Sequence, residues 1–445
     1  MTLIVVACGS KDEYSDSAPK KSENTDTGVT PATNPNRKLF DSDIFEKVTD
    51  ESGVVSYQIK SGFGNYECSQ SNYFNTRSMT NDERFLFFFG SNKDYPETQA
   101  RCGVIVDLKN GKTYKINGCY FSCCPYLDVE NDVLYYGKVL NDKTKAQFFR
   151  RDLKVDPAKE IALAVLPSSV LPAQSRPIKK LATHLTLTQD KKKVFLDMRL
   201  YDSFKWGLLD LYSGKWEEWG SGDVCLTHGQ LNPKRDDLAL MATDHYKLTD
   251  GSQEIPIYKD PDGWYPRIQI VSKGDRYTMI PDPYSEDPTK RDGGYASHER
   301  WDESGDYVYW CSGKPCLRSV ANARNKDAYT KFTDAQGSSS HCFFSKDRKW
   351  ITYDDQSLDY YRSCRWKVYF YNVNTKKTVM IYTLLPALVS RAEHDANSSV
   401  YQNWHTDPHP QFVCNDKYII CTAQKADKTI RLSITPVDQL IEKTK

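Results

Sequence analysis

Histidine is scarce in this chain, yet five of its eight copies recur at one kind of place. Each stands three residues before a large apolar side chain and just ahead of a turn that leads into a β-prone run. They are His184 (HLTLTQDKKKVFL), His228 (HGQLNPKRDDLAL), His298 (HERWDESGDYVYW), His341 (HCFFSKDRKWITY) and His409 (HPQFVCNDKYIIC). An imidazole titrates near neutral pH, so it can take a proton, give one, or bind a divalent metal. A single such histidine is ordinarily a packing or hydrogen-bonding residue. Five in one register imply a repeated module that brings them to one place. The densest stretch runs from Tyr401 to Phe412 (YQNWHTDPHPQF), where Gln402, His405, Asp407 and His409 offer amide oxygen, imidazole and carboxylate, and Pro408 and Pro410 stiffen the backbone. Mixed nitrogen and oxygen donors suit Mn²⁺ or Zn²⁺ and commonly leave a coordination position open to substrate.

The module that must position these histidines is visible as a weak repeat. A turn rich in Asp, Asn, Lys or Gly followed by a β-prone run occurs seven times: NDERFLFFFG from Asn81, ENDVLYYGKV from Glu130, QDKKKVFLDM from Gln189, PKRDDLALMA from Pro233, ESGDYVYWCS from Glu303, KDRKWITYDD from Lys346 and NDKYIICTAQ from Asn415. Most copies lead on to another strand and a hairpin turn, as in CGVIVDLKNGKTYKI from Cys102, WGLLDLYSGKWEEW from Trp206 and WKVYFYNVNTKKTVMI from Trp366. The unit averages about 55 residues, the length of a propeller blade rather than a solenoid coil. The expected fold is all-β, a seven-bladed β-propeller of four-stranded antiparallel blades over residues 41–445. A pair of β-sandwiches is the alternative, and it leaves a sevenfold repeat unexplained. Long gaps before Glu303 and Asn415 predict insertions that roof one face, and Pro386 to Ala396 reads as a short helix. In a propeller the innermost strand of each blade lines a central channel. The five histidines, in the third to seventh units, should therefore converge at one mouth.

Composition narrows the partners. With 60 basic and 59 acidic residues the net charge is +1, so no overall field recruits nucleic acid or an anionic membrane. The run from Leu3 to Cys8 (LIVVAC) resembles a bacterial lipobox, with Cys8 as the lipidated residue, although an apolar N-terminal strand would read similarly. Residues 1–8 are then a signal remnant and 9–40 a polar tether. This predicts a protein of the periplasm or outer membrane of a Gram-negative bacterium, touching membrane only through an N-terminal lipid anchor. Oligomeric state is left open, and a monomer would serve. Twelve further cysteines, an even number, are compatible with disulfides in such a compartment. Cys311 and Cys316 (CSGKPC) look like a loop clasp or half of a metal site, adjacent Cys123 and Cys124 are not expected to bond each other, and several others read as small buried hydrophobes.

Three stretches, HGQL at His228, HERW at His298 and QNWHTDPHPQF from Gln402, resemble motifs of the oligogalacturonate lyases, and the blade pattern extends the resemblance over most of the folded chain. Those enzymes are seven-bladed polysaccharide lyases. The resemblance implies cleavage of an acidic, uronic-acid-containing oligo- or polysaccharide by metal-assisted β-elimination. It implies a divalent metal, manganese first with zinc or calcium as alternatives, held by His298, Gln402, His405 and His409. It makes His228 the base and Arg199 (DMRLYDSFKW) the partner of the substrate carboxylate. His184 and His341 are left to line the substrate pocket, and a tyrosine is available as the leaving-group acid. One departure concerns the last blade: family members place one residue between the two histidines, whereas three separate His405 from His409 here. Asp407 and His405 thus compete for the place beside His409. Ulvan lyases, also propellers, leave the polysaccharide open. A non-catalytic TolB-like periplasmic binding propeller is the rival from another class, while a peptidase reading lacks a GxSxG elbow.

Overall fold

The repeated turn is held by its own side chains. The hydroxyls of Thr80, Thr188 and Ser345 donate to Asp82, Asp190 and Asp347 and accept the backbone N–H of Phe85, Lys193 and Trp350 at 3.0 Å. Each aspartate also accepts the N–H two residues on, an Asx-type reversal. The residue after it, Glu83, Lys191 or Arg348, turns left-handed at φ 63°, 58° and 58°, and Asp132 and Gly305 do the same in other copies. The result is a tight reversal that feeds one strand antiparallel into the next.

The computed structural model describes residues 39–91, 102–119, 123–140, 145–171, 178–249, 253–256, 267–279, 296–322, 329–356, 363–396 and 406–445. The lipobox-like start, most of the expected tether, Gln402, His405 and much of the two expected roofing insertions lie outside them. Seven antiparallel sheets form a ring, a seven-bladed β-propeller as expected. Their innermost strands are Cys68–Gln70, Tyr126–Asp128, Thr186–Leu187, Val224–Asn232, Ser297–Trp301, Cys342–Phe344 and Gln411–Val413. Two blades exceed four strands. The fourth adds Glu254–Pro256, and the seventh joins its three C-terminal strands to Val55–Ile59 and Phe45–Thr49 from the other end of the chain. Among the described residues the α-helices are Arg391–Ala396, inside the stretch expected to be helical, and Asp438–Lys443.

Both faces of each sheet are buried between neighbours, which explains near-continuous apolar runs in the second strands. In the third blade Val194, Leu196 and Met198 pack with Tyr135 and Phe148 of the second, while Phe195 packs with Leu226 and Met241 of the fourth. Burying each such side chain contributes about 1.5–3 kcal/mol. Pleat parity also corrects the cysteine reading. None of the twelve cysteines forms a disulfide with another among the described residues, and all are buried except half-buried Cys123. Cys316 pairs with Trp310 and packs on its face of the fifth blade, whereas Cys311 points to the opposite face. The expected clasp would have to pass through the sheet.

The first blade departs from the repeat. Its innermost strand is interrupted: Cys68–Gln70 pairs with Phe89–Ser91 and Met79 bridges Leu86, but the seven residues 71–77 leave the sheet and cross the channel. Arg300 donates to the Phe74 carbonyl at 2.7 Å, and Arg77 donates to the Phe412 carbonyl at 2.6 Å and pairs with Glu303. Asn75 Nδ2 lies 3.0 Å from His184 Nε2. Held from the third, fifth and seventh blades, this plug buries Tyr73 and Phe74 in the channel. Beyond it a cavity of about 370 Å³ opens at the far mouth, lined by residues of all seven blades.

Ring closure predicts a testable weak point. Tyr382 of the sixth blade accepts from Gln58 Nε2 at 2.8 Å and bonds Ser433 Oγ at 2.7 Å, tying both ends of the chain into the seventh blade. Tyr382→Phe strands both buried partners and should cost about 1–3 kcal/mol, read as a lowered urea midpoint. An unchanged midpoint would show that the closure does not depend on this hydroxyl.

Candidate functional site

The five histidines do converge. His184, His341 and His409 lie one or two residues before the innermost strand of their blades, His298 is second in its strand and His228 sits at the bulge in the middle of Val224–Asn232, each on the side away from the repeated turn, so all reach the same mouth of the channel. Their ring centroids are 6.3 Å apart for His184 and His228, 3.9 Å for His298 and His341, and 4.3 Å for His341 and His409. Tyr73 of the plug sits among them, its ring 4.6 Å from that of His409 and 6.0 Å from that of His184. Phe74 lies 5.6 Å from His341.

Three of the five turn left-handed: His228 at φ 57°, His298 at 54° and His409 at 48°. In the fourth and fifth blades the ladder register shifts there, between Thr227 and Gln230 and between Ser297 and Arg300, which marks β-bulges. A bulge leaves one residue unpaired and re-aims its side chain. A left-handed non-glycine costs of order 1–3 kcal/mol and persists where the surroundings enforce it. Beside His228, a Cβ on Gly229 would come within 2.6 Å of the Phe195 ring. Glycine is thus a steric requirement at the position after His228.

Two buried aspartates fix these segments in pairs. Asp197, on the second strand of the third blade, accepts the Thr183 N–H at 2.9 Å, the Thr183 hydroxyl at 2.7 Å and the Gly229 N–H of the fourth blade at 3.1 Å. Asp354 does the same between the sixth and seventh blades, accepting the N–H of His341 at 2.8 Å and that of His409 at 3.2 Å. It also holds His341 Nδ1 at 2.9 Å. Burial pushes both carboxylates up from the ordinary range.

His228 faces its own polar group. Its Nε2 lies 3.8 Å from Asp244 and its Nδ1 3.7 Å from Glu299, while Arg267 spans those carboxylates at 3.4 and 3.0 Å. Burial holds the His228 pKa well below the ordinary value, outweighing the pull of Asp244, and Arg267 adds to the lowering. Burial likewise brings His184 down to about 3 and holds His298 low. His341 is the exception: burial opposes its charge, but the Asp354 carboxylate, with Asp407 behind it, raises its pKa.

The second group suits a metal. His341 Nε2 and His409 Nε2 each lie 3.7 Å from Asp407 Oδ2, and the three ligand atoms fall within 4.8 Å of one another. Metal–nitrogen bonds of about 2.0–2.1 Å would place donor atoms at such separations around one ion. His341 Nε2 and His298 Nδ1 are buried without a hydrogen-bond partner among the described residues. Asp354 on His341 Nδ1 is the outer carboxylate that fixes a ligating imidazole. The donor set fits a divalent cation.

Of the residues singled out in the sequence, His184, His228, His298, His341 and His409 come together, with Asp407 taking a place beside His409. Gln402 and His405 lie outside the described residues. Arg199 stands at the histidine end of its strand, paired with Glu254, with its guanidinium 5.1 Å from the Tyr246 ring centroid. Sequence reasoning missed Asp197, Asp354, Asp244, Arg267, Glu299 and the plug. Signals existed for three of them: Asp197 and Asp354 occupy the ninth place of their repeat copies, and Glu299 lies inside HERW.

Known structures share this architecture. An oligogalacturonate lyase in complex with manganese is similar at a TM-score of 0.61 and 14% identity, over 88% of this chain and 96% of that one. An oligogalacturonate lyase from Vibrio parahaemolyticus is similar at 0.60 and 14%, with the same coverage. The β-propeller domain of a Pyrococcus furiosus protease follows at 0.48 and 11%, over 83% and 95%. At 14% identity the likeness to the two lyases establishes the propeller fold alone. No protein-family model matches the chain, and no curated protein matches it.

The pKa directions predict a pH dependence of stability. His184 and His228 have folded pKa values below the unfolded value near 6.5, so the unfolded chain binds more protons once pH falls below that point. Their contribution is complete above about pH 6.5 and declines as pH falls, by roughly 1 kcal/mol per unit for each histidine. Urea midpoints measured from pH 7 down to 5 should drop, and the drop should shrink in His184→Asn. A flat profile would refute the neutral, buried assignment.

Proposed function

We propose that this protein is a polysaccharide lyase that cleaves uronic-acid-containing oligosaccharides by β-elimination with a histidine base. One observation carries the reading. Of the five converging histidines, the three held in left-handed backbone, His228, His298 and His409, are the three to which the family resemblance gives the role of base or metal ligand. Strain of this kind clusters where function requires it. A TolB-like docking propeller gives no reason for it.

The chemistry follows from the residues. Eliminating the C4–O4 bond of a uronate requires removal of the C5 proton, which is weakly acidic because it lies α to a carboxylate. The base must be neutral before it acts, and burial keeps His228 so. Its nitrogens face Asp244 and Glu299, which stabilise the imidazolium once the proton is taken. Arg199 offers a guanidinium fork to the substrate carboxylate. A divalent ion held by His341, Asp407 and His409, with His298 adjoining, supplies Lewis-acid stabilisation of carboxylate charge when bound. Manganese suits this donor set, with zinc or calcium as alternatives, and Gln402 and His405 remain candidate ligands through the resemblance. A lipid-anchored location in the periplasm or outer membrane belongs to the same reading. Galacturonate oligomers are the first substrate to test and ulvan the second.

Purified protein incubated with oligogalacturonates, polygalacturonate or ulvan, with and without Mn²⁺ or Zn²⁺, should release an unsaturated product seen by ultraviolet absorbance. Absence of product on every uronate in the presence of metal would sink the lyase reading. His228→Ala should lose about 10²–10⁴-fold in rate while still binding metal. His409→Ala should lose the metal, measured by elemental analysis, and metal retained by both His409→Ala and His341→Ala would refute the ligand set.

A further inference from the structure

We propose that Lys180 is the second cation of the substrate-carboxylate clamp, acting beside Arg199 as a specificity determinant for acidic sugars; this rests on the uronate reading above. In the stretch PIKKLATH, buried Ile178, Leu181 and Ala182 anchor a segment that continues the innermost strand of the third blade outward past His184. Lys180 and Arg199 form a mutual antiparallel pair there. The Lys180 N–H donates to the Arg199 carbonyl at 3.0 Å, the neighbouring Lys179 N–H shares that carbonyl at 3.0 Å in a bulge-like arrangement, and the Arg199 N–H donates to the Lys180 carbonyl at 2.9 Å. Residues opposite each other in such a pair have Cα atoms about 5.5 Å apart and present side chains to the same face of the sheet.

That face can be identified. Arg199 shares it with Asp197 and Phe195, since side chains alternate along a strand. Phe195 packs against Trp219 in the cluster that includes Leu226 of the fourth blade, Asp197 accepts the Gly229 N–H, and Arg199 lies over Tyr246 and pairs with Glu254. All of these partners bar Trp219 belong to the fourth blade. The Lys180 ammonium is therefore presented to the blade that carries His228. Its charge is felt there, adding to the lowering of the His228 and His184 pKa values behind the larger effect of burial.

Two different cations on one bridge suit one carboxylate. Arg199 is oriented by Glu254 and offers a fixed planar fork, whereas an ammonium on a flexible stem can follow the second carboxylate oxygen. The C5 proton is one carbon away from that group in a uronate. Placing both cations beside His228 therefore aligns the proton with the base and favours an acidic sugar, whose carboxylate they can hold, over a neutral hexose.

The experiment compares wild type, Lys180→Met, Lys180→Gln and Lys180→Arg, with oligogalacturonate and its neutral methyl ester as probes. Removal of the charge should raise KM and the dissociation constant for oligogalacturonate about 10- to 100-fold, the loss of one charge-assisted hydrogen bond, with a smaller change in kcat. Lys180→Arg should restore most of the affinity, and binding of the methyl ester should not differ between wild type and variants. Unchanged affinity in both neutral variants, or an equal loss for acid and ester, overturns the clamp. If wild type binds oligogalacturonate in a Lys180-dependent way but eliminates nothing, the clamp stands and the lyase reading falls. A wild type that neither binds nor cleaves it overturns both.

Discussion

Everything at the histidine mouth depends on two buried carboxylates that each bridge neighbouring blades. Asp197 and Asp354 are almost wholly removed from water, a placement that is costly unless their oxygens are satisfied by donors. The donors are the backbone N–H groups of the segments that carry the histidines. Removing either carboxylate would therefore release two histidine segments together, the third and fourth blades in one case and the sixth and seventh in the other. The blade-to-blade spacing set by apolar packing becomes, through these ties, the spacing of imidazoles. A propeller without them would keep its ring and lose its register at the mouth.

The site is made where the repeat is broken. Regular blades give a strand, a tight turn and a second strand; the candidate site residues sit on bulges, on left-handed backbone, and around a seven-residue excursion from the first blade. Bulges and left-handed histidines gather at one end of one channel, while at the other end the left-handed residues belong to turns that repeat with the same hydroxyl–carboxylate chemistry. That segregation is what a working site on a stable scaffold requires. The plug adds a second constraint. By filling the channel with Tyr73 and Phe74 it gives the histidines a floor, and it separates them from the cavity at the far mouth.

Much of this was legible in the sequence because it rested on period. Seven turns gave seven blades, and a histidine five or six residues ahead of five of those turns gave the cluster. Glu299 stood in view inside HERW, and Asp197 and Asp354 shared the ninth place of their copies, but a polar residue in an apolar strand reads as an interruption until the ring is closed. The plug was hidden because its residues, SNYFNTR, carry no periodic signal and merely lengthen one gap. Left-handed histidines were hidden because φ leaves no mark on a residue type that seldom adopts it. The cysteine pair misled for a simpler reason: close spacing suggests a bond, and strand parity, which decides the matter, needs the register.

The chain's near-zero net charge conceals an electrical division at the mouth. On the side of the third and fourth blades Lys180, Arg199 and Arg267 stand among Glu254, Asp197, Asp244 and Glu299, and burial keeps His228 neutral. On the side of the sixth and seventh blades stand Asp354 and Asp407 around His341 and His409, a pocket that favours positive charge. An acidic sugar presents one negative group and a polarisable C–H beside it. Under the proposed reading, its carboxylate would meet Lys180 and Arg199 beside His228 on one side and whatever cation the imidazole–carboxylate group holds on the other.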